Sequence, residues 1–183
     1  MRINILLLLL FLLGEQQFCY AQFQSARLQA TGLTCALCSK AIHQSLEKLP
    51  FVEKVTADIK SSAFSVQFKE GATLSPDELK TAVEDAGFFI GELLLVGKEG
   101  NDLPTQSAPF QLGENWYQLL NNKPIRERSA FTWSVIDKGF VTEKMFKKLL
   151  SQFEEPSLAT GFFVSDTSRP ESKQRLFHVL PIK

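Results

Sequence analysis

The sequence predicts an α+β protein, and three observations carry that reading. Apolar residues alternate with polar ones at Ala26, Leu28 and Ala30, at Val55, Ala57 and Ile59, and at Phe64, Val66 and Phe68. A period of two is that of a strand with one face buried. Ile42, Leu46 and Leu49, and then Leu79, Ala82, Val83 and Ala86, fall instead at helical spacing, the stripe of a helix that buries one side. The order of these patterns is βαββαβ, two similar halves in succession. Such an order builds a ferredoxin-like sandwich, one antiparallel sheet with both helices on one face.

Each element has its own start and stop signals. The first strand runs into Gly32-Leu33-Thr34, which reads as a loop, and the first helix stops at Pro50, whose ring cannot continue a helical ladder. Lys60-Ser61-Ser62 turns the second strand back into the third. Ser75 caps the second helix, Pro76 suits its first position, and Glu78 stands three residues after the cap, as in a capping box. Gly87 ends that helix. The apolar run from Phe88 to Val96 supplies the last strand.

Beyond Val96 the composition changes. Gly97-Lys98-Glu99-Gly100-Asn101-Asp102-Leu103-Pro104 reads as the start of a linker, bounded as residues 98–107. The remainder, 108–183, predicts a small β-rich domain, α+β or barrel-like. Its strands are expected at Phe110 to Leu120, Ser129 to Val135, Ala159 to Val164 and Leu176 to Leu180, with a helix from Thr142 to Phe153. Trp116, Tyr117, Phe131 and Trp133 are expected to fill this domain's core, the alternative being a surface for a partner. The organisation is therefore a leader over 1–21, one domain over 22–97, the linker 98–107, and a second domain over 108–183.

The leader is read from Arg2, the apolar run Ile5 to Leu13, and Cys19-Tyr20-Ala21 with small residues at the −3 and −1 positions. That is the layout of a secretory signal peptide cleaved after Ala21. A membrane-spanning helix needs about 20 apolar residues, and this run is far shorter. A secreted or periplasmic chain with no membrane span in its mature form follows. Twenty basic against twenty acidic residues give a formal charge of zero. Nucleic acid is thereby disfavoured as a partner, since phosphate backbones select a basic excess.

Cleavage removes Cys19 and leaves Cys35 and Cys38. A disulfide between residues three apart would close a tiny loop and stabilise little. Chemistry explains the pair better than stapling does. Both cysteines fall at the joint between the first strand and first helix, within Gly32-Leu33-Thr34-Cys35-Ala36-Leu37-Cys38. Thiolate is the metal-binding form, and a helix N-terminus favours it through unpaired N–H groups and the macrodipole. Soft thiolates select Cu(I), with Zn and Hg as competitors. Structural zinc wants four ligands, and the only histidines are His43 and His178. His43 is expected at the surface, pointing away from the loop, and His178 in the last strand as a partly buried core residue.

The segment from about Ser25 to Val96 resembles the heavy-metal-associated domain family, the copper chaperones and N-terminal modules of copper-transporting ATPases. The resemblance rests on the Gly32 to Cys38 motif, on Ile42 and Leu46 behind it, on Leu49-Pro50-Phe51-Val52, and on Ala86-Gly87-Phe88. It implies metal binding by Cys35 and Cys38, and transfer by ligand exchange to a partner with a similar thiolate site. It also implies that Phe88 packs near the metal. Leu33 stands where the family usually has Met, and keeps the packing of a buried loop anchor.

Two other functions compete. A thiol–disulfide oxidoreductase would also place C-x-x-C at a helix start, but no Trp or Pro borders this pair and the following hairpin is not that of a thioredoxin. A metal-sensing interaction module would use residues 98–183 as its output. No hydrolase or phosphoryl-transfer motif is present, no G-x-S-x-G, no phosphate-cradling loop, and no His set among carboxylates for metal hydrolysis. The chain is expected not to be an enzyme. Asp77, Glu78, Glu84 and Asp85 are expected to solvate an exposed helix face, and Lys144, Lys147 and Lys148 likewise.

Overall fold

The computed structural model describes residues 23–33, 36–97, 108–120, 131–164 and 172–182. The leader 1–21, the linker 98–107 and Cys35 all lie outside the described residues. In the first half, β1 (Phe23–Thr31), α1 (Ala36–Glu47), β2 (Val52–Asp58), β3 (Ala63–Phe68), α2 (Pro76–Asp85) and β4 (Phe89–Gly97) follow the expected βαββαβ order. The strands pair antiparallel as β2-β3-β1-β4. Alternation decides which face is buried. Ala26, Leu28 and Ala30 of β1 turn inward beneath Ile42 and Leu46 of α1 and Leu79 and Val83 of α2. The α2 cap is as the sequence specifies, with the Glu78 N–H donating to Ser75 Oγ at 3.2 Å.

The second half contains β5 (Phe110–Leu112), β6 (Asn115–Leu119), β7 (Phe131–Val135), α3 (Glu143–Gln152), α4 (Pro156–Thr160), β8 (Phe162–Val164) and β9 (Lys173–Ile182). The stretch expected as a strand from Ala159 is split. It finishes a short helix at Thr160, turns at left-handed Gly161, and only then extends. These strands do not make a separate sheet. β7 pairs with β4 from Leu93↔Val135 to Gly97↔Phe131, and the order continues through β9 and β6 to β5. One nine-stranded sheet thus runs through both halves.

The core is shared in the same way. Trp133, fully buried, stands opposite Leu95 across the β4–β7 pair. Phe23 packs its ring 5.6 Å from Tyr117, 5.8 Å from Phe131 and 5.8 Å from Trp133. Three of the four aromatic residues weighed as a surface are therefore core, and Trp116 packs edge-on against Phe163 at 5.1 Å. A second apolar cluster covers the reverse face of the sheet, where Phe146 and Leu149 of α3 meet Ile136, Val141 and Leu158. The seam is also bridged by polar contacts. Arg175 on β9 donates through Nε to Asp77 Oδ2 at 2.9 Å, and Asn115 Nδ2 donates to the Leu74 carbonyl at 2.6 Å. Asp77 is thus an ion-pair partner rather than the purely solvating charge expected.

Candidate metal centre

β1 delivers the chain to the candidate site and fixes its end, because Thr31 Oγ1 donates to the Phe89 carbonyl at 3.3 Å. Gly32 then takes φ +81°, a left-handed turn that glycine adopts without a Cβ clash. Leu33 folds back onto the core. Thr34 and Cys35 lie outside the described residues. The chain is next described at α1, with Cys38 as its third residue. Cys38 is half-buried, Leu37 beside it is 78% exposed, and Ser39 is buried.

Helical spacing explains why Cys38 is held firmly. Residues four apart lie on one face, so Cys38 begins the stripe that Ile42 and Leu46 continue into the core, both of them fully buried. The sulfur is therefore carried on a helix that cannot rotate without exposing those two side chains. Cys38 is disulfide-bonded; the other two cysteines of the chain, Cys19 and Cys35, are outside the described residues. A soft ion requires the sulfur as thiolate, a form that the disulfide-bonded state does not offer. Phe88 is half-buried and packs on the core, and its neighbour Phe89 is 67% exposed.

The histidines are engaged elsewhere. His43 is half-buried, its Nε2 3.1 Å from the Val55 carbonyl and its Nδ1 3.2 Å from Glu47 Oε2. It ties α1 to β2 at a position expected at the surface. His178 is fully buried, where a partly buried core residue was expected, and it lies beside carboxylates, although among the described residues no group of His, Cys, Asp and Glu could hold a metal ion. Its Nδ1 lies 2.9 Å from Asp137 Oδ1, and its Nε2 lies 2.8 Å from Ser157 Oγ, which is itself 2.8 Å from Glu155 Oε1. Asp137, Ser157 and Glu155 had no motif to mark them. Only the β7–β9 pairing, Val135↔Val179, brings residues 137 and 178 together.

Comparison with known proteins identifies the first half. Residues 27–89 match the model of the heavy-metal-associated domain. This segment is a heavy-metal-associated domain. Solved structures similar to it include the PacS N-terminal domain from Synechocystis PCC6803, at 28% identity, covering 37% of this chain and 92% of that one with a TM-score of 0.33. The yeast copper transporter domain Ccc2a is 25% identical, over 37% of this chain and 90% of its own, with a TM-score of 0.33. Oxidised MerP from Ralstonia metallidurans CH34 is 29% identical, over 36% and 89%, with a TM-score of 0.33. No curated protein matches the chain. The matched segment ends at Phe89, the first residue of β4, so β5 to β9 lie outside it.

Proposed function

We propose that the chain is an exported carrier of one soft metal ion, Cu(I), held between Cys35 and Cys38 and passed by ligand exchange to a protein with a similar thiolate site. The observation that carries this reading is Cys38 in the first turn of α1, directly after the Gly32 turn, inside a heavy-metal-associated domain. A two-thiolate site suits Cu(I) and leaves coordination positions for an incoming ligand, with Zn and Hg as competitors for the same sulfurs. The chain moves the ion and is not an enzyme at this site. Export follows from the leader pattern over 1–21. Among the described residues no helix is long and apolar enough to cross a membrane.

An anaerobic titration of the reduced chain against a Cu(I) chelator tests the reading. Cys38→Ala is expected to abolish tight binding with the fold retained, and an unchanged affinity would remove the site. The disulfide-bonded state of Cys38 also favours a second reading, thiol–disulfide exchange. Turnover of an insulin-type disulfide substrate by the purified chain would support that reading over carriage.

A further inference from the structure

On the reverse face of the sheet, three side chains from separate elements form a hydrogen-bonded line. Asp137, which follows β7, is 2% exposed; its Oδ2 accepts the His178 backbone N–H at 2.7 Å and its Oδ1 faces His178 Nδ1 at 2.9 Å. A carboxylate on Nδ1 holds the imidazole in the tautomer that leaves Nε2 as a base. That Nε2 lies 2.8 Å from the hydroxyl of half-buried Ser157, the second residue of α4. Nucleophile, base and orienting acid are thus within hydrogen-bond reach in sequence.

Two features decide what such a line can do. His178 is fully buried, with Ser157 in front of its free nitrogen. It can take the serine proton, but it is poorly placed to hand one to a departing group or to activate water. Glu155 also contacts the same hydroxyl at 2.8 Å, with Gln118 Nε2 donating to its other oxygen at 2.9 Å. Burial would push the Glu155 carboxyl up, but the hydrogen bonds from Ser157 and Gln118 outweigh it and keep the group below the usual range. An ionised Glu155 competes for the hydroxyl proton and opposes negative charge growing at the attacked carbonyl.

We propose that Ser157 is an acyl-acceptor site, modified once per chain by activated acyl donors of the thioester or aryl-ester class. Ser157 Oγ attacks the carbonyl carbon and its proton passes to His178 Nε2. Collapse of the adduct forms the serine ester and breaks the carbon–sulfur or carbon–oxygen bond. The leaving group departs as thiolate or phenolate with the bond's electron pair, so it needs no proton from His178. With His178 buried behind the acylated serine, the ester is expected to persist rather than turn over.

The test treats the purified, disulfide-bonded, metal-free chain with p-nitrophenyl acetate, follows nitrophenolate release and locates the acetyl group by peptide mass spectrometry. One acetyl group is expected on Ser157, with release stopping near one equivalent. Ser157→Ala is expected to lose both signals. His178→Gln is expected to slow the reaction about 100-fold or more, the scale of a positioned general base. Glu155→Gln, at a half-exposed position, is expected to speed it, which keeps the test decisive if the buried variant fails to fold. Acetyl groups on lysines with Ser157 unmodified, or a Ser157 rate untouched by Glu155→Gln and His178→Gln, would overturn the assignment. None of these outcomes depends on metal binding by Cys38.

Discussion

The heavy-metal-associated domain and the strands built onto it handle polar groups in opposite ways. In the first, alternation sends Arg27, Gln29 and Thr31 outward from a core of apolar side chains, and among the described residues the one buried polar residue is Ser39. In the second, Gln118, Asp137 and His178 are all buried. Removing such groups from water is unfavourable unless each finds a hydrogen-bond partner, and here each does, within the line from Asp137 to Gln118. The first region is specified by periodicity. The second is specified by a polar network and by the sheet edge it completes.

The largest expected effect comes from attacking that edge. If the two regions are one cooperative body, a cavity at the seam must weaken both. Trp133→Ala removes a fully buried ring that touches Phe23, Phe110, Tyr117 and Phe131. A loss of about 4 kcal/mol is expected, the usual scale for a buried aromatic truncated to alanine. Wild-type denaturation in guanidinium, followed by far-ultraviolet circular dichroism and by near-ultraviolet signals, should give one coincident transition. Two separated transitions would show that the halves fold apart in spite of their shared sheet.

Arg175 gives a smaller and more local break. Its guanidinium joins Asp77 of α2 at 2.9 Å to Asp137 at 3.4 Å and to the carbonyls of Gly161 and Leu176 at 2.9 and 2.8 Å, and it lies 4.1 Å from the Phe177 ring. Arg175→Ala is expected to cost about 2 kcal/mol, the scale of hydrogen bonds to charged groups. A double-mutant cycle with Asp77→Ala separates the bridge across the seam from the contacts made within the second region. A coupling near zero would mean that Asp77 is the solvating charge that its helix pattern suggested.

How much of this was legible differs between the regions for a physical reason. Leu28, Ile42, Leu46, Leu79 and Val66 could be placed because each lies on a pattern of period two or near four. Cys35 and Cys38 stood out because a local motif joins a strand to a helix. The joining of the halves was not legible, because β4 pairs with β1 and β7 through its backbone, which no side-chain period reports. The Asp137–His178–Ser157 line left no such trace. It depends on β9 pairing antiparallel with β7 and parallel with β6, a topology that no local pattern encodes.

The smallest effect at neutral pH is also the sharpest probe of the shared core. Tyr117 is fully buried at the seam, and among the described residues no group lies in hydrogen-bonding geometry with its hydroxyl. Tyr117→Phe should therefore change stability by no more than about 1 kcal/mol, and in the stabilising direction, since a desolvated hydroxyl is removed. Alkaline pH reverses the comparison. Burial, with the charge of Asp77 adding to it, pushes the phenol well above its ordinary range. In the unfolded chain the same group ionises near pH 10, so above that pH the folded state binds the extra proton. Tyr117's contribution is whole below about pH 10 and is lost as pH rises from there toward the raised folded value, at up to about 1.4 kcal/mol per pH unit. Denaturant midpoints at rising pH should fall more steeply for wild type than for Tyr117→Phe. Equal slopes, or phenolate absorbance appearing near pH 10 while the fold persists, would place Tyr117 in contact with water and open the seam on which the single-body architecture depends.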